Sequence, residues 1–493
     1  MLAGILNTNK KRGLLAVIGC LMLDISVGEF NLLAFLYPYF ASYFHSLDPE
    51  ITPKDMAMLP CVWLATQIFS GPLSVLLYNK LGFRPTFAIF VLVFFSGQII
   101  ASQIRVFKLF AVVYGIFGGM AQGGLGILPI YCCWRYFPKS YSGIISGTIL
   151  SAYALAPLGT SVIALNIINP ENLPATKQGK YSYFPSEVYS NVPKFMIVFG
   201  FFCLTLGLLG CCLVLEPLDE SSELNDNSQQ SLVVRDHSSK SNKKKEFEIQ
   251  PIKLKAVKST LATTEFKTLY LIMLFGLLYP HYFLFNFKQI GLEHLPSPDK
   301  YINFVASIGA ICNGTARLLI GLIYQRIGAR YTSSALILLL LCSSLSFLQL
   351  ANSHFYFGVG LCLFYASFGG LIGLFPLITH ALFKSNGALA YTMVFSASGV
   401  SCLFVSLLQN PLTELVGQAA VLPILGTFVL ATFPLWGQIN AKLLHLAEQA
   451  SALLQYKSEH PQKYGRKLEE SMDTVDEEED DEDLPDPFII SHR

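Results

Sequence analysis

Residues 311–330, ICNGTARLLIGLIYQRIGAR, place an arginine in the middle of an apolar helical run and end that run on a glycine flanked by basic residues. A guanidinium at the bilayer centre costs roughly 2.5–3.5 kcal/mol on insertion scales, so such a residue usually faces a polar cavity and serves a task. Arg317 therefore poses two questions: whether the chain crosses a membrane, and what a buried cation would hold.

Composition answers the first. Of 493 residues, 53% are hydrophobic and 14% charged, and the apolar runs exceed the roughly 18 residues that mark a membrane span. The chain reads as an all-α polytopic membrane protein in a lipid bilayer. A net charge of +1, with the basic residues in short turns rather than in a stripe, argues against a nucleic-acid partner. Lys10, Lys11 and Arg12 precede an apolar run too long for a signal-peptide core and without a small-residue cleavage site, so this run reads as a retained first span. All eleven cysteines fall in apolar runs with no CxxC pair, which argues against disulfides or zinc and for small apolar fillers.

Hydropathy predicts twelve spans. The first six are 14–40, 56–79, 85–103, 109–133, 141–168 and 192–215; the second six are 266–288, 301–324, 333–350, 355–383, 387–409 and 420–446. The chain thus divides into an N-terminal segment (1–13), a six-helix bundle (14–215), a linker (216–265), a second bundle (266–446) and a tail (447–493). The linker stretch 216–258 is rich in Ser, Asn, Asp and Lys and cannot bury enough apolar surface to fold alone. The tail ends in TVDEEEDDEDLPDPFIISHR (474–493), a disordered acidic segment that solvates the terminus or recruits a cytoplasmic partner. Turns carrying Lys80, Arg84, Arg135, Lys139, Arg326, Arg330 and Lys384 share one side and hold no acid, which predicts cytoplasmic termini.

The halves repeat. KLGFRPT (80–86) and RIGARYT (326–332) place Gly82 and Gly328 246 positions apart (328 − 82), and the same offset carries Gly123-Gly124 onto Gly369-Gly370 and Phe137 onto Phe383. Both halves enter the membrane in the same direction, so these are parallel repeats about an axis along the membrane normal. Twelve spans, a central linker and the basic-glycine turn after the second span of each half resemble the major facilitator superfamily. Within it, YPYFASYF (37–44), WRYFPKSYSGIISG (134–147), NPENL (169–173), YSNVPKF (189–195) and NGTARLLIGLIYQRIGAR (313–330) resemble the oxalate/formate antiporter and monocarboxylate transporter branch. The fold this implies is two pseudo-symmetric six-helix bundles.

The repeat sharpens the reading of Arg317. The offset aligns Asn313 with Gln67 and Arg317 with Gly71, so both halves present an amide and only the second adds a cation. Asn313 and Arg317, four apart, share one helix face, and a planar guanidinium can hold a carboxylate by two parallel hydrogen bonds. Arg317, Asn313 and Gln67 are the candidate substrate residues; the resemblance implies the same role for an arginine in the eighth span, though monocarboxylate transporters place an aspartate where this chain has Asn313. The competing reading has Arg317 paired with Asp24 or Glu29 to hold the bundles together.

Proton-coupling candidates are Glu29, Asp24 and His281. On a regular helix the two acids point about 140° apart, so one faces the cavity, and Glu29 lies nearer the middle of the span. His281 and His380 could titrate near neutral pH, although lone histidines in such spans are more often packing residues. Gating candidates are the turn residues Asn79, Lys80, Arg84, Gln325, Arg326 and Arg330, together with Tyr37 and Tyr279, which with Tyr39 and Tyr282 flank prolines or form an interfacial belt. Gly115, Gly119 and Gly123, and Gly143 with Gly147, are spaced for close helix packing. The sequon at Asn313 is buried in a span and is discarded.

Departures from the resemblance matter. Asn79 and Gln325 stand where the superfamily turn usually has aspartate, and Tyr39 where animal monocarboxylate transporters have lysine. The eleventh span holds no lysine or arginine, so a single cavity cation fits a monoanion better than oxalate. No Ser-His, paired-acid, HExxH or nucleotide-loop constellation is present, so no enzyme, cofactor or metal is expected. The reading is a secondary transporter of a small organic anion, a monocarboxylate such as lactate or pyruvate, by alternating access with or without protons. The alternatives are a transporter of a neutral or zwitterionic solute such as an amino acid, and a non-transporting receptor or assembly subunit of the same fold.

Overall fold

The structure is a computed structural model that describes residues 9–138, 141–178, 181–215, 254–295, 299–350, 353–383 and 386–459. The linker stretch 216–253, the tail 460–493, Lys139 and Lys384 lie outside the described residues. Among the described residues ten helices are long and apolar enough to cross a membrane. One of these, Phe304–Leu345, is two helices meeting at Gly328, and the broken first span is a further one, so twelve spans result.

The first span departs from the expected continuous helix. It runs as Asn9–Ser26, a 3-10 segment Gly28–Leu32 and Leu33–Leu47. Gly28, at the break, lets the fifth span approach closely: its missing Cβ would sit 2.5 Å from the Ala156 side chain. Leu254–Ala262 is helical although it lies in the expected linker, and the last helix continues to Glu459, beyond the expected end at 446. A short hairpin, Thr176–Gln178 with Tyr181–Tyr183, decorates the loop before the sixth span.

The repeat is visible in the backbone. Gly82 and Gly328 turn the chain with φ of 79° and 78°, a conformation that a side chain would strain. Contacts recur at the same offset. Gly123 lies on Gln67 as Gly369 lies on Asn313, and Gly124 lies on Phe90 as Gly370 lies on Leu336.

Two seams join the bundles. The fifth span crosses the eighth where Gly143 meets Gly321 and Gly147 meets the backbone of Arg317 and Leu318. The second packs antiparallel on the eleventh, with Gly71 on Thr392 and Gly399 on the Leu64 carbonyl. Leu64 and Gly71 are seven positions apart, as are Thr392 and Gly399; three more in each direction reach Cys61 and Cys402, whose thiols are near neighbours, the Cys61 thiol donating to the Ala57 carbonyl at 2.9 Å. On the linker side Trp134 and Tyr131 pack on His380, with ring centroids 4.7 and 6.1 Å apart.

Two predictions follow from this packing. A Cβ at Gly119 would lie 2.1 Å from the Trp63 carbonyl oxygen, so Gly119→Ala lowers stability by about 1–3 kcal/mol, read as a lower melting temperature of the purified protein. Gly159→Ala, with nothing within 4 Å, does not. In a variant whose only cysteines are Cys61 and Cys402, copper phenanthroline joins the halves after protease cleavage in the linker, and reductant separates them.

Candidate functional site

Between the bundles lies a cavity of about 90 Å³ lined mainly by apolar and aromatic side chains, into which a few polar groups converge. The first and fourth spans supply Asp24, Asn31 and Gln122, the second and fifth Gln67 and Tyr153, and the seventh, eighth and eleventh His281, Arg317 and Tyr391.

Arg317 is 3% exposed and has only neutral partners. Its Nε donates to Asn313 Oδ1 at 3.0 Å, its Nη1 donates to the Leu150 carbonyl at 3.3 Å, and its guanidinium lies 5.8 Å from the centre of the Tyr153 ring. Two of five N–H groups are thus engaged, leaving donors to spare. The Leu150 bond crosses from one bundle to the other. Asp24 lines the same cavity, 4% exposed, and among the described residues no ion pair within 4.0 Å joins it to Arg317. A cation and an acid therefore share one cavity without pairing directly, an arrangement distinct from the structural ion pair that the sequence left open.

Glu29 lies elsewhere. It sits on the 3-10 segment, is buried inside the first bundle, and accepts a hydrogen bond from Gln98 Nε2; it does not line the cavity. The regular-helix angle used to compare it with Asp24 does not apply, because the helix breaks between them. Gln67 lines the cavity, 8% exposed, and its Oε1 is buried without a partner. Asn313 turns to Arg317 from beneath Gly369. His281 is held between two hydroxyls of the eleventh span, Ser401 at Nδ1 and Ser398 at Nε2, each at 3.3 Å. One hydroxyl accepts and the other donates, which suits a neutral ring.

The other sequence-selected residues are dispersed. Tyr279 is buried in the second bundle, where its hydroxyl meets Ser343 Oγ at 2.7 Å. The Tyr37 hydroxyl is buried without a partner. Arg84 donates through Nε to the Val214 carbonyl and through Nη2 to the Cys212 carbonyl at 3.2 Å, so it caps the sixth span within its own bundle. Gln325 lies near Gly143 across the fifth-eighth seam, Asn79 is half-buried, and Lys80, Arg326 and Arg330 are exposed.

Sequence reasoning found Gln67, Asn313 and His281 but missed the other polar members, Gln122, Asn31, Tyr153 and Tyr391. Gln122 accepts from the Trp63 indole and donates to the Tyr153 hydroxyl, and Asn31 Nδ2 donates to the Tyr153 carbonyl at 3.1 Å. Together they hold the ring over Arg317. A lone amide in a glycine-rich apolar span is the signal that could have found Gln122; Tyr153 and Tyr391 give none.

The family model of the Major Facilitator Superfamily matches residues 15–406. The chain is 30% identical over 86 residues to apicoplast pyruvate carrier 1 of Toxoplasma gondii, a match spanning 17% of this chain and 15% of that protein. Its fold resembles the human organic anion transporter MFSD10 (TETRAN), with a TM-score of 0.57 at 14% identity, covering 87% of this chain and 99% of that one. It also resembles the proton:xylose symporter XylE, with a TM-score of 0.61 at 13% identity over 87% and 94% of the two chains. The E. coli fucose:proton symporter FucP gives 0.56 at 11% identity over 86% and 98%. Two repeated bundles around a central cavity, matched by the family model over most of the length, make this chain a member of the Major Facilitator Superfamily.

Proposed function

We propose that the chain carries a small monocarboxylate, held at Arg317. The observation that carries this reading is a guanidinium buried in the central cavity with neutral partners and donors to spare. A carboxylate is the ligand whose charge and planar geometry answer it. Asn313 orients the guanidinium, and the unpartnered Gln67 Oε1 takes a donor on the ligand, such as a hydroxyl. The cavity of about 90 Å³ supports a solute of few atoms, since sites for drug-sized ligands run to about 300–1,000 Å³. The relative named for pyruvate supports the same class over its short match. Asp24, in the cavity with Arg317, is the proton carrier: an occupied guanidinium no longer offsets a neighbouring carboxylate, so substrate binding favours its protonation. The acid-free turns on the linker side support cytoplasmic termini.

A second reading has a specific observation behind it. Asp24 and Arg317 share the cavity without touching, which also suits a zwitterion whose ammonium meets Asp24 and whose carboxylate meets Arg317.

Uptake of labelled lactate, pyruvate, formate, oxalate and a neutral amino acid into proteoliposomes tests both. On the monocarboxylate reading one monoanion enters, and Arg317→Ala lowers its uptake about 100-fold, as expected for loss of hydrogen bonds to a charged group. Arg317→Lys keeps charge without the planar fork and retains part of the activity. Entry of none of the anions by a folded, oriented protein would sink the assignment. For Asp24→Asn the two readings diverge: monocarboxylate exchange persists without response to a proton gradient, whereas amino-acid transport loses apparent affinity at any gradient.

A further inference from the structure

A second concavity lies away from the substrate cavity, on the membrane face of the second-eleventh seam. Its floor and walls are Ile68 and Pro72 of the second span, Phe266 and Tyr270 of the seventh and Met393 of the eleventh, and its volume is about 650 Å³. Leu261 and Leu271 line its edge, 40% and 38% exposed, and Phe69, next to Ile68 in the chain, is 75% exposed, so this face of the protein meets the hydrocarbon. Both bundles contribute walls.

The charge at one end of this groove is of one sign. Lys267 lines it one turn into the helix that starts at Thr264, next to the linker, and is exposed. Glu265 is the nearby acid, but its carboxylate is paired with Lys442 at 3.0 Å. Lys258, on the short helix Leu254–Ala262 that also brings Leu261 to the groove, is exposed as well. Among the described residues no carboxylate forms an ion pair with Lys258 or Lys267. An apolar trough in the hydrocarbon that ends on unpaired ammonium groups at headgroup level has the polarity of an anionic phospholipid.

We propose that this groove binds one anionic phospholipid from the linker-side leaflet, an acyl chain lying along Ile68, Pro72 and Met393 and the phosphate resting on Lys267. Because its walls belong to different bundles, parting the second span from the eleventh dismantles the groove. A lipid that binds only the assembled groove stabilises that conformation of the transport cycle.

The test uses the full-length protein in nanodiscs containing equal amounts of phosphatidylcholine and phosphatidylglycerol. Lipid retained after transfer to detergent is counted by native mass spectrometry. Wild type retains phosphatidylglycerol over phosphatidylcholine by about fivefold, the effect of one ammonium at the membrane surface. Lys267→Gln brings the ratio near one, Lys267→Arg keeps it, and Met393→Trp, which fills the trough, removes both lipids while melting temperatures show each variant folded. No preference in wild type, an unchanged preference in Lys267→Gln, or full retention in Met393→Trp overturns the proposal. So does a second copy of the chain held in place of lipid and released by Met393→Trp. The readout involves no substrate, so its failure is separable from failure of the monocarboxylate reading.

Discussion

A buried guanidinium without a carboxylate against it is the constraint around which this molecule is built. Taking such a charge out of water is costly unless polar groups replace the lost hydration. The protein supplies an amide from the same helix, a backbone carbonyl from the other bundle and the face of a phenol. Each of these is itself supported. Asn313 lies under Gly369, and Tyr153 is fixed by Gln122 and Asn31. The polar chain from Trp63 through Gln122 to Tyr153 thus serves the charge, and only its last member meets it.

Glycine makes this arrangement sterically feasible. The cavity is walled by helices that approach until backbone meets backbone, at Gly147 on Arg317 and Leu318 and at Gly143 on Gly321. Membrane helices gain little from burying apolar side chains against one another, since lipid is equally apolar, so close approach through small residues supplies the contact. The seams are therefore tight without being interlocked by large side chains.

What the sequence disclosed is what breaks an apolar background. Arg317 stands out as a charge, and Gly82 and Gly328 stand out because the repeated turn needs a positive φ at both. The break in the first span did not stand out, since Gly28 is one of two glycines in an apolar run that otherwise reads as continuous helix. That omission misdirected the comparison of Asp24 with Glu29, because a helical-wheel angle presumes an unbroken helix. Tyr153, Gln122 and Tyr391 were invisible for another reason: an uncharged side chain in a span gains its meaning only from the neighbours that tertiary packing brings to it. Tyr279 shows the converse, as proximity to a proline suggested a mouth, whereas its hydroxyl is spent on Ser343 inside one bundle.

The hydrogen bond from Arg317 to the Leu150 carbonyl has a thermodynamic corollary. Donor and acceptor belong to different bundles, so the bond exists only while the fifth and eighth spans are together. Any excursion that parts them strips an acceptor from a desolvated cation and leaves an electrostatic vacancy that water or an anion must fill. The empty protein is thereby biased toward the packed state, and the monocarboxylate of the proposed function would be most strongly drawn to the parted one. Affinity and conformation are linked through a single backbone oxygen, so a ligand that replaces it repays the unpacking at the moment of binding.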